Sequence, residues 1–242
     1  MRLRDGTRCE PLTITDSFSR YLIGVSATGT TRESEARPRF ERAFAEYGLP
    51  DAIRSDNGAP FASAGTTGLT ALSVWWARLG IDHERIDPGR PQQNGRHERM
   101  HRTLLEAMRP PGADLAAQER RFEVFVREYN EQRPHEALGQ KPPASLYRPS
   151  PRQLPARLPE PEYPPEAAVR RVRSNGEIKW RGELVFISSS LVGEAVGVEE
   201  TATGDEVRFC DVPLGVIDLD KQTLRKPAPD KRRKAHKTKI ET

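Results

Sequence analysis

Ile53-Arg54-Ser55-Asp56-Asn57-Gly58 gives the strongest indication of how this chain folds. The run 52–55 reads as a short strand that ends at Asp56, and Asn57-Gly58 then turns the chain sharply. An acid at the end of a strand is held rigidly while it still faces solvent. That position suits a carboxylate that binds a metal ion.

A second acid, Glu98, lies in a stretch of helical character from residue 93 to residue 105. At helical spacing, one face of this helix carries Asn94, Glu98, His101 or Arg102, and Leu105. If that face meets the strand end at Asp56, two carboxylates flank a site surrounded by basic side chains. Such a site suits Mg²⁺ or Mn²⁺ and a phosphodiester. Taken singly, Asp-Asn-Gly is also an ordinary turn, and Glu98 an ordinary solvated charge.

Both acids stand within longer motifs. These are Ile53–Gly58 followed by Pro60-Phe61, Pro91–Gly95 with Glu98 and His101–Leu104, Arg20-Tyr21-Leu22, His83–Ile86, Tyr129-Asn130, Arg133-Pro134-His135 and Pro142-Pro143-Ala144. Over roughly residues 9–219 they resemble the integrase core of retroviral-type DDE transposases, most closely insertion-sequence transposases of the IS481 and IS3 kind. The resemblance implies metal-dependent DNA cleavage and strand transfer, with Mg²⁺ or Mn²⁺ as cofactor.

Of the three acids that the family uses, Asp56 and Glu98 match the second and the third. The first acid is expected on a strand ahead of residues 8–12, so the resemblance predicts that this chain lacks it, together with an N-terminal helix-turn-helix. Neither Asp5 nor Asp16 matches the first catalytic position, and Asp16 is expected to cap the turn that follows it. We therefore expect the chain alone to be inactive in strand transfer.

Up to residue 132 the chain predicts an α/β domain with a mixed sheet, which the resemblance identifies as ribonuclease H-like. The predicted strands are 9–15, 21–27, 52–55 and 81–86, and the predicted helices are 31–47, 69–79, 93–108 and 115–130. In the second of these helices, Leu72, Trp75, Trp76 and Leu79 form an apolar stripe typical of a buried face. Stacking of a Trp on a nucleic-acid base is the alternative.

Beyond residue 132, three further segments are predicted. Residues 133–165 are rich in proline and read as an extended connector. Residues 166–220 contain short alternating segments typical of a small β-barrel, which by resemblance is SH3-like. Residues 221–242 are basic with almost no apolar side chains, which predicts a disordered tail.

Two groups of basic residues are candidates for DNA contact. They are Arg170, Arg171, Arg173, Lys179 and Arg181 in the barrel, and Lys231, Arg232, Arg233 and Lys234 in the tail, beside Asn94, His101 and Arg102 near Glu98. Alternatively, the barrel charges protect a sheet edge and the tail only improves solubility.

Composition agrees with an anionic partner. The 242 residues carry 39 Lys and Arg against 35 Asp and Glu, which gives a net charge of +4 and a pI near 9.2. Two cysteines cannot form a disulfide framework, and no apolar run or leader segment is evident, so we expect a cytoplasmic, nucleoid-associated protein.

Two functions from different classes follow. The first is a DDE transposase that binds DNA and works as a homo-oligomer or with an intact transposase. The second is a truncated, non-catalytic DNA-binding and oligomerisation module that modulates an intact transposase. A metal-free polynucleotide-binding protein of the same fold is a third possibility.

Overall fold

A computed structural model of the protein describes residues 1–87 and 95–225. The chain packs into two compact units, and each is built from two separate segments. The first unit comprises Met1–Ala62 and Ile81–Arg157, and the second comprises Ser63–Gly80 and the chain from Leu158 onward.

The described residues of the first unit form four strands and three α-helices, besides two short 3-10 helices. In chain order the strands and α-helices are β1 (Glu10–Thr15), β2 (Leu22–Thr28), α1 (Glu33–Tyr47), β3 (Ala52–Ser55), β4 (Asp82–Arg85), α3 (Gly95–Ala107) and α4 (Leu115–Glu131), with α2 in the other unit. β1 pairs with β2 in antiparallel orientation, and β3 pairs with β4 in parallel. The sequence predicts one mixed sheet, whereas the described strands form two separate two-stranded ladders.

Local hydrogen bonds explain why these elements begin and end where they do. The turn between β1 and β2 is held by Asp16, whose carboxylate accepts bonds from the backbone N–H and the hydroxyl of Ser19, at 2.7 and 2.6 Å. The predicted capping role of Asp16 is thereby confirmed. Asp114 caps α4 by accepting a bond from the N–H of Ala117 at 2.7 Å.

Helices α3 and α4 cover the β1–β2 ladder with apolar side chains. The core of this layer consists of Leu3, Cys9, Leu22, Val25, Ala27, Met100, Leu104, Met108, Phe122, Phe125 and Tyr129. Asn130 adds a polar link, because its side chain accepts a bond from the N–H of Leu22 and donates one to the carbonyl oxygen of the same residue, at 2.8 and 2.9 Å. The end of α4 is thus fixed to the start of β2.

The second unit is largely β-structure. Its elements are α2 (Ala71–Arg78), β5 (Ala168–Arg171), β6 (Glu177–Trp180), β7 (Glu183–Phe186), β8 (Ala195–Thr201), β9 (Gly204–Phe209), β10 (Val212–Asp218) and β11 (Thr223–Arg225). β6 and β7 form a hairpin, and the other strands form an antiparallel sheet in the order β11-β10-β9-β8-β5. The small all-β segment is therefore present, and its SH3-like class stays a prediction.

Helix α2 shares the core of this β-structure. Leu69, Val74 and Ala77 belong to one apolar cluster with strand residues such as Val172 and Phe209. The stripe predicted from the sequence is buried, but Val74 and Ala77, outside that stripe, are buried as well. Helical periodicity predicts only one buried face, whereas a helix that is enclosed on several sides also buries residues outside that face.

Two further differences from the sequence expectations concern the end of the chain. The proline-rich segment 133–165 is divided, because residues up to Arg157 belong to the first unit and those from Leu158 to the second. Strand β11 lies within the region expected to be disordered, where Leu224 pairs with Ile217 of β10. Both cysteines are free thiols, as expected. Within 1–87 and 95–225, none of the helices has the length and apolar character needed to cross a bilayer.

Candidate active site and nucleic-acid interface

Asp56 lies immediately after β3, on an ordered turn. Its Oδ1 accepts a hydrogen bond from the N–H of Gly58 at 2.9 Å, and the Asn57 amide donates to the carbonyl oxygen of Ile86 at 2.9 Å. The Asp56 side chain is exposed and forms no ion pair with any residue that the structure describes. The carboxylate is therefore fixed at its base and open to solvent.

Buried groups beneath Asp56 support this turn. The Ser55 hydroxyl lies 2.8 Å from Nε2 of His83 on the neighbouring strand and donates to the carbonyl oxygen of Asp56 at 2.9 Å. Burial, with a smaller effect of the Arg85 charge, lowers the pKa of His83 to about 4. His83 is consequently neutral at pH 7 and adds no charge next to the acid.

The first turn of α3 is anchored on β1 through His97. Its Nε2 lies 2.8 Å from the hydroxyl of Thr13, and its Nδ1 lies 3.4 Å from that of Thr15. Burial, followed by the charge of His101, lowers the pKa of His97, and the negative charge of Asp56 opposes that change. Asp56 therefore lies close enough to this turn for its charge to act on the residue next to Glu98.

Glu98 is exposed, and none of the described residues forms an ion pair with it. Asp56 and Glu98 are thus two exposed carboxylates without an ion-pair partner among the described residues, and carboxylate oxygens are the ligand type that hard divalent cations prefer. Among the described residues no set of three or more His, Cys, Asp or Glu side chains converges in a way that could hold a metal ion. The residues present thus fit a share of a cation's oxygen ligands, and water or phosphate oxygens would complete the coordination.

The other residues predicted near Glu98 occupy different settings. Arg102 is exposed, whereas His101 is half-buried, and its pKa is lowered by burial and then by the positive amino group of Met1. Asn94 lies outside the described residues.

The basic residues that the sequence nominates in segment 166–220 of the second unit are all exposed. They are Arg170, Arg171, Arg173, Lys179 and Arg181. The Arg170 guanidinium lies 5.2 Å from the centroid of the Trp180 ring, a cation–π distance. Arg181 is partly neutralised by Asp205, whose oxygen lies 2.9 Å away. Lys231, Arg232, Arg233 and Lys234 lie outside the described residues.

Two motif residues with no predicted role also take positions beside the core. Arg133 lies 5.9 Å from the centroid of the Tyr129 ring, and Arg20 is close enough to influence the same side chain. The only sequence signal for this arrangement is that their motifs adjoin Tyr129-Asn130 and Leu22, the residues that join α4 to β2.

Two protein-family models match the chain. Residues 1–91 match one model of the integrase core domain, and residues 79–143 match a second model with the same description. Residues 1–143 belong to the integrase core family. Both Asp56 and Glu98 lie in the matched region.

Individual relatives extend over part of the chain. An uncharacterised protein of insertion element IS476 from Xanthomonas euvesicatoria is 30% identical over 60% of this chain and 40% of its own length. The corresponding protein of IS407 from Burkholderia multivorans is 29% identical, over 60% of this chain and 50% of its length. The Gag-Pol polyprotein of baboon endogenous virus is 34% identical over 40% of this chain, which corresponds to 5% of the length of the polyprotein. The chain therefore spans at most half of these relatives.

Two solved structures that align with the chain are retroviral. The simian T-cell lymphotropic virus intasome with a PP2A regulatory subunit aligns with 90% of this chain and 82% of its own at 16% identity, with a TM-score of 0.47. The HTLV-2 integrase catalytic core domain in complex with magnesium is 16% identical to this chain. The alignment covers 57% of this chain and 92% of the HTLV-2 chain, with a TM-score of 0.43.

Proposed function

We propose that this chain is the integrase core of a DDE-type transposase, in which Asp56 and Glu98 hold a divalent cation at the DNA strand to be cut. The observation that carries the proposal is that the integrase core matches contain both acids, Asp56 at the end of β3 and Glu98 in the first turn of α3. The insertion-element relatives support the same assignment.

The chain's own residues supply position and charge. Asp56 is fixed by its turn, and the His97 anchor on β1 holds the helical turn that carries Glu98, so the backbone at both acids is in place before DNA binds. Preorganised charge costs little reorganisation during reaction. Mg²⁺ or Mn²⁺ bound there would stabilise the attacking and leaving oxygens of a phosphodiester.

A Mn²⁺ titration of the full chain tests the carboxylates directly. We expect Asp56→Ala and Glu98→Gln each to weaken binding about 10-fold or more, because each removes one of two charged ligands. Glu106→Gln, near the other end of α3, is the matched control and should bind as the wild type does. Equal Mn²⁺ affinity in wild type and Asp56→Ala would refute the assignment.

We further propose that the second unit contacts DNA through Arg170, Arg171, Arg173 and Lys179, with Arg181 contributing less because of Asp205. Exposed Lys and Arg side chains supply phosphate contacts with little sequence preference. The expected partners are DNA and further copies of the chain or an intact transposase.

The non-catalytic DNA-binding module is the second candidate function, and the exposed basic surface favours it. Duplex binding in EDTA separates the two functions. The double variant Arg170→Gln with Arg171→Gln should reduce the salt dependence of affinity, whereas Asp56→Ala should leave it unchanged. Removal of residues 226–242, which spares β11, tests the predicted role of Lys231–Lys234. An unchanged salt dependence after that removal would place the contacts elsewhere.

A further inference from the structure

Tyr129, in the last turns of α4, is surrounded by residues from three motifs. Its ring lies 5.9 Å from the Arg133 guanidinium and meets the His135 ring edge-on, with centroids 4.8 Å apart. The adjacent Asn130 binds both backbone groups of Leu22, which fixes the start of β2 at the same place. The end of α4, the start of β2 and the segment after α4 therefore converge here.

Positive charge accumulates around this point. Burial and then the charge of Arg96, with a smaller effect of Arg99, lower the pKa of Arg20. Burial raises the pKa of the Tyr129 hydroxyl, and the nearby charges of Arg133 and Arg20 oppose that rise. Four arginines, from α3, from the segment after α4 and from the β1–β2 turn, thus act on one another or on the same ring.

The acid Asp16 acts on Arg20 through its negative charge and partly offsets the neighbouring arginines, but it forms no ion pair with Arg20. In the part of the chain that the structure describes, none of the four guanidinium groups has a carboxylate oxygen within ion-pair distance. An adjoining cavity of about 300 Å³ is lined by Tyr129, Gln132 and Arg133 and also by Glu128, which is exposed. Converging like charges repel one another unless an anion binds between them, and guanidinium groups bind phosphate in planar, two-point geometry.

The cluster lies on a different flank of α3 from the candidate active site. Successive residues of an α-helix are rotated by about 100°. Because His97 points at β1, Glu98 lies about 100° to one side of it and Arg96 about 100° to the other, with Arg99 further round on the Arg96 side. Arg96 therefore lies about 160° from Glu98, nearly across a helix whose width with side chains is about 10–12 Å, and Arg99 lies between these two positions on the side away from β1.

We propose that Arg20, Arg96, Arg99 and Arg133 form a second DNA-binding site, which holds a backbone phosphodiester away from the bond that the Asp56–Glu98 site acts on. The inference rests on the proposed function for the identity of the nucleic acid. The site anchors the duplex to the core, and its binding does not require a metal ion. It gives Arg20-Tyr21-Leu22 and Arg133-Pro134-His135 a common role.

The test is binding of a 20-base-pair duplex to the full chain in EDTA at several salt concentrations. We expect Arg99→Gln and Arg133→Gln each to weaken binding and to reduce the slope of log affinity against log salt by about 0.9, the value for one lost phosphate contact. Arg99→Lys should restore most of the slope because it retains the charge. Arg42→Gln, an exposed charge on α1, is the matched control and should leave the slope unchanged.

Two results would overturn the proposal. One is a slope for Arg99→Gln and Arg133→Gln equal to that of Arg42→Gln, with all variants folded as judged by thermal unfolding. The other is blockage of duplex binding by submillimolar inorganic phosphate at constant ionic strength, which would assign the site to a small anion. Because no metal is present, these outcomes are independent of the Mn²⁺ titration of Asp56 and Glu98.

Discussion

At the scale of single residues, the turns that carry the candidate catalytic acids are supported by half-buried, neutral histidines. His83 supports Asp56 through Ser55, and His97 holds the turn that carries Glu98. Both imidazoles have a lowered pKa because they are buried. The exposed carboxylates therefore rest on side chains that do not add positive charge at neutral pH.

The lowered pKa of His83 predicts acid sensitivity. In the unfolded chain His83 is protonated below its ordinary pKa of about 6.5. In the folded protein it stays neutral until the pH falls to about 4, so between these values protonation favours the unfolded state. We expect His83 to cost no stability above pH 6.5 and to lower the free energy of unfolding progressively between pH 6.5 and pH 4. Urea unfolding of wild type and His83→Gln across this range measures the difference. A difference between the two proteins that is constant with pH would contradict the prediction.

Asn130 predicts a large local contribution to stability. Asn130→Leu removes the partners of the Leu22 N–H and carbonyl oxygen, both of which are deeply buried. We expect a loss of about 3 kcal/mol in the free energy of unfolding, since each unsatisfied buried group costs about 1–3 kcal/mol. Asn175→Ala, at an exposed position, is the control and should change stability by less than about 1 kcal/mol. Similar losses in both variants would count against the buried link.

The two acids could be predicted from the sequence, but their supports could not. Asp56 and Glu98 stand in local motifs whose spacing identifies a strand end and a helix face. The contact of His97 with Thr13 and the approach of Arg20 to Tyr129 join residues that are far apart in sequence. Such pairs depend on how the elements pack, and local patterns carry no signal for them.

At the scale of elements, helices and strands lie close to their predicted positions because turns and caps mark their ends. The proline-rich segment is different, since it is held by specific backbone contacts. The N–H of Leu49 donates to the carbonyl oxygen of Arg152 at 2.7 Å, and the N–H of Ser150 donates to that of Tyr47 at 2.9 Å. The end of α1 and this segment therefore form one hydrogen-bonded assembly that composition alone, which indicates only an extended chain, does not reveal.

A substitution at Gly48 tests whether the proline-rich segment is held against the end of α1. Its φ is +79°, and a Cβ there would overlap the carbonyl oxygen of Ser150 and lie 2.9 Å from that of Arg152. Gly139 has a φ of +64° with no atom within 4 Å of the same position, so it serves as the matched control. We expect Gly139→Ala to cost about 1 kcal/mol, from backbone conformation alone, and Gly48→Ala clearly more. Chemical denaturation measures both, and equal costs would show that the segment moves away freely.

At the scale of the whole molecule, the second unit is assembled from two distant parts of the chain. α2 lies between β3 and β4 in sequence, yet its apolar residues pack with those of the C-terminal strands. Arg78 strengthens this connection, since it donates to the carbonyl oxygen of Pro159 at 2.7 Å and pairs with Glu194 at 2.8 Å.

This arrangement predicts how fragments behave. The fragment 158–225 should not unfold cooperatively alone, because its core lacks Leu69, Val74 and Ala77 and exposes the surface that they cover. Adding residues 63–80, as a peptide or through a flexible linker, should restore a cooperative transition. Thermal unfolding followed by near-ultraviolet circular dichroism measures this, and a cooperative transition of fragment 158–225 alone would contradict the prediction.

The split origin of the second unit also constrains how genes of this kind can recombine. A single crossover downstream of residue 157 would join the C-terminal strands of one parent to the α2 of another. Leu69, Val74 and Ala77 would then face a foreign set of partners in place of Val172 and Phe209. We expect viable hybrids to inherit both segments from the same parent, so that two exchanges are needed to transplant the unit.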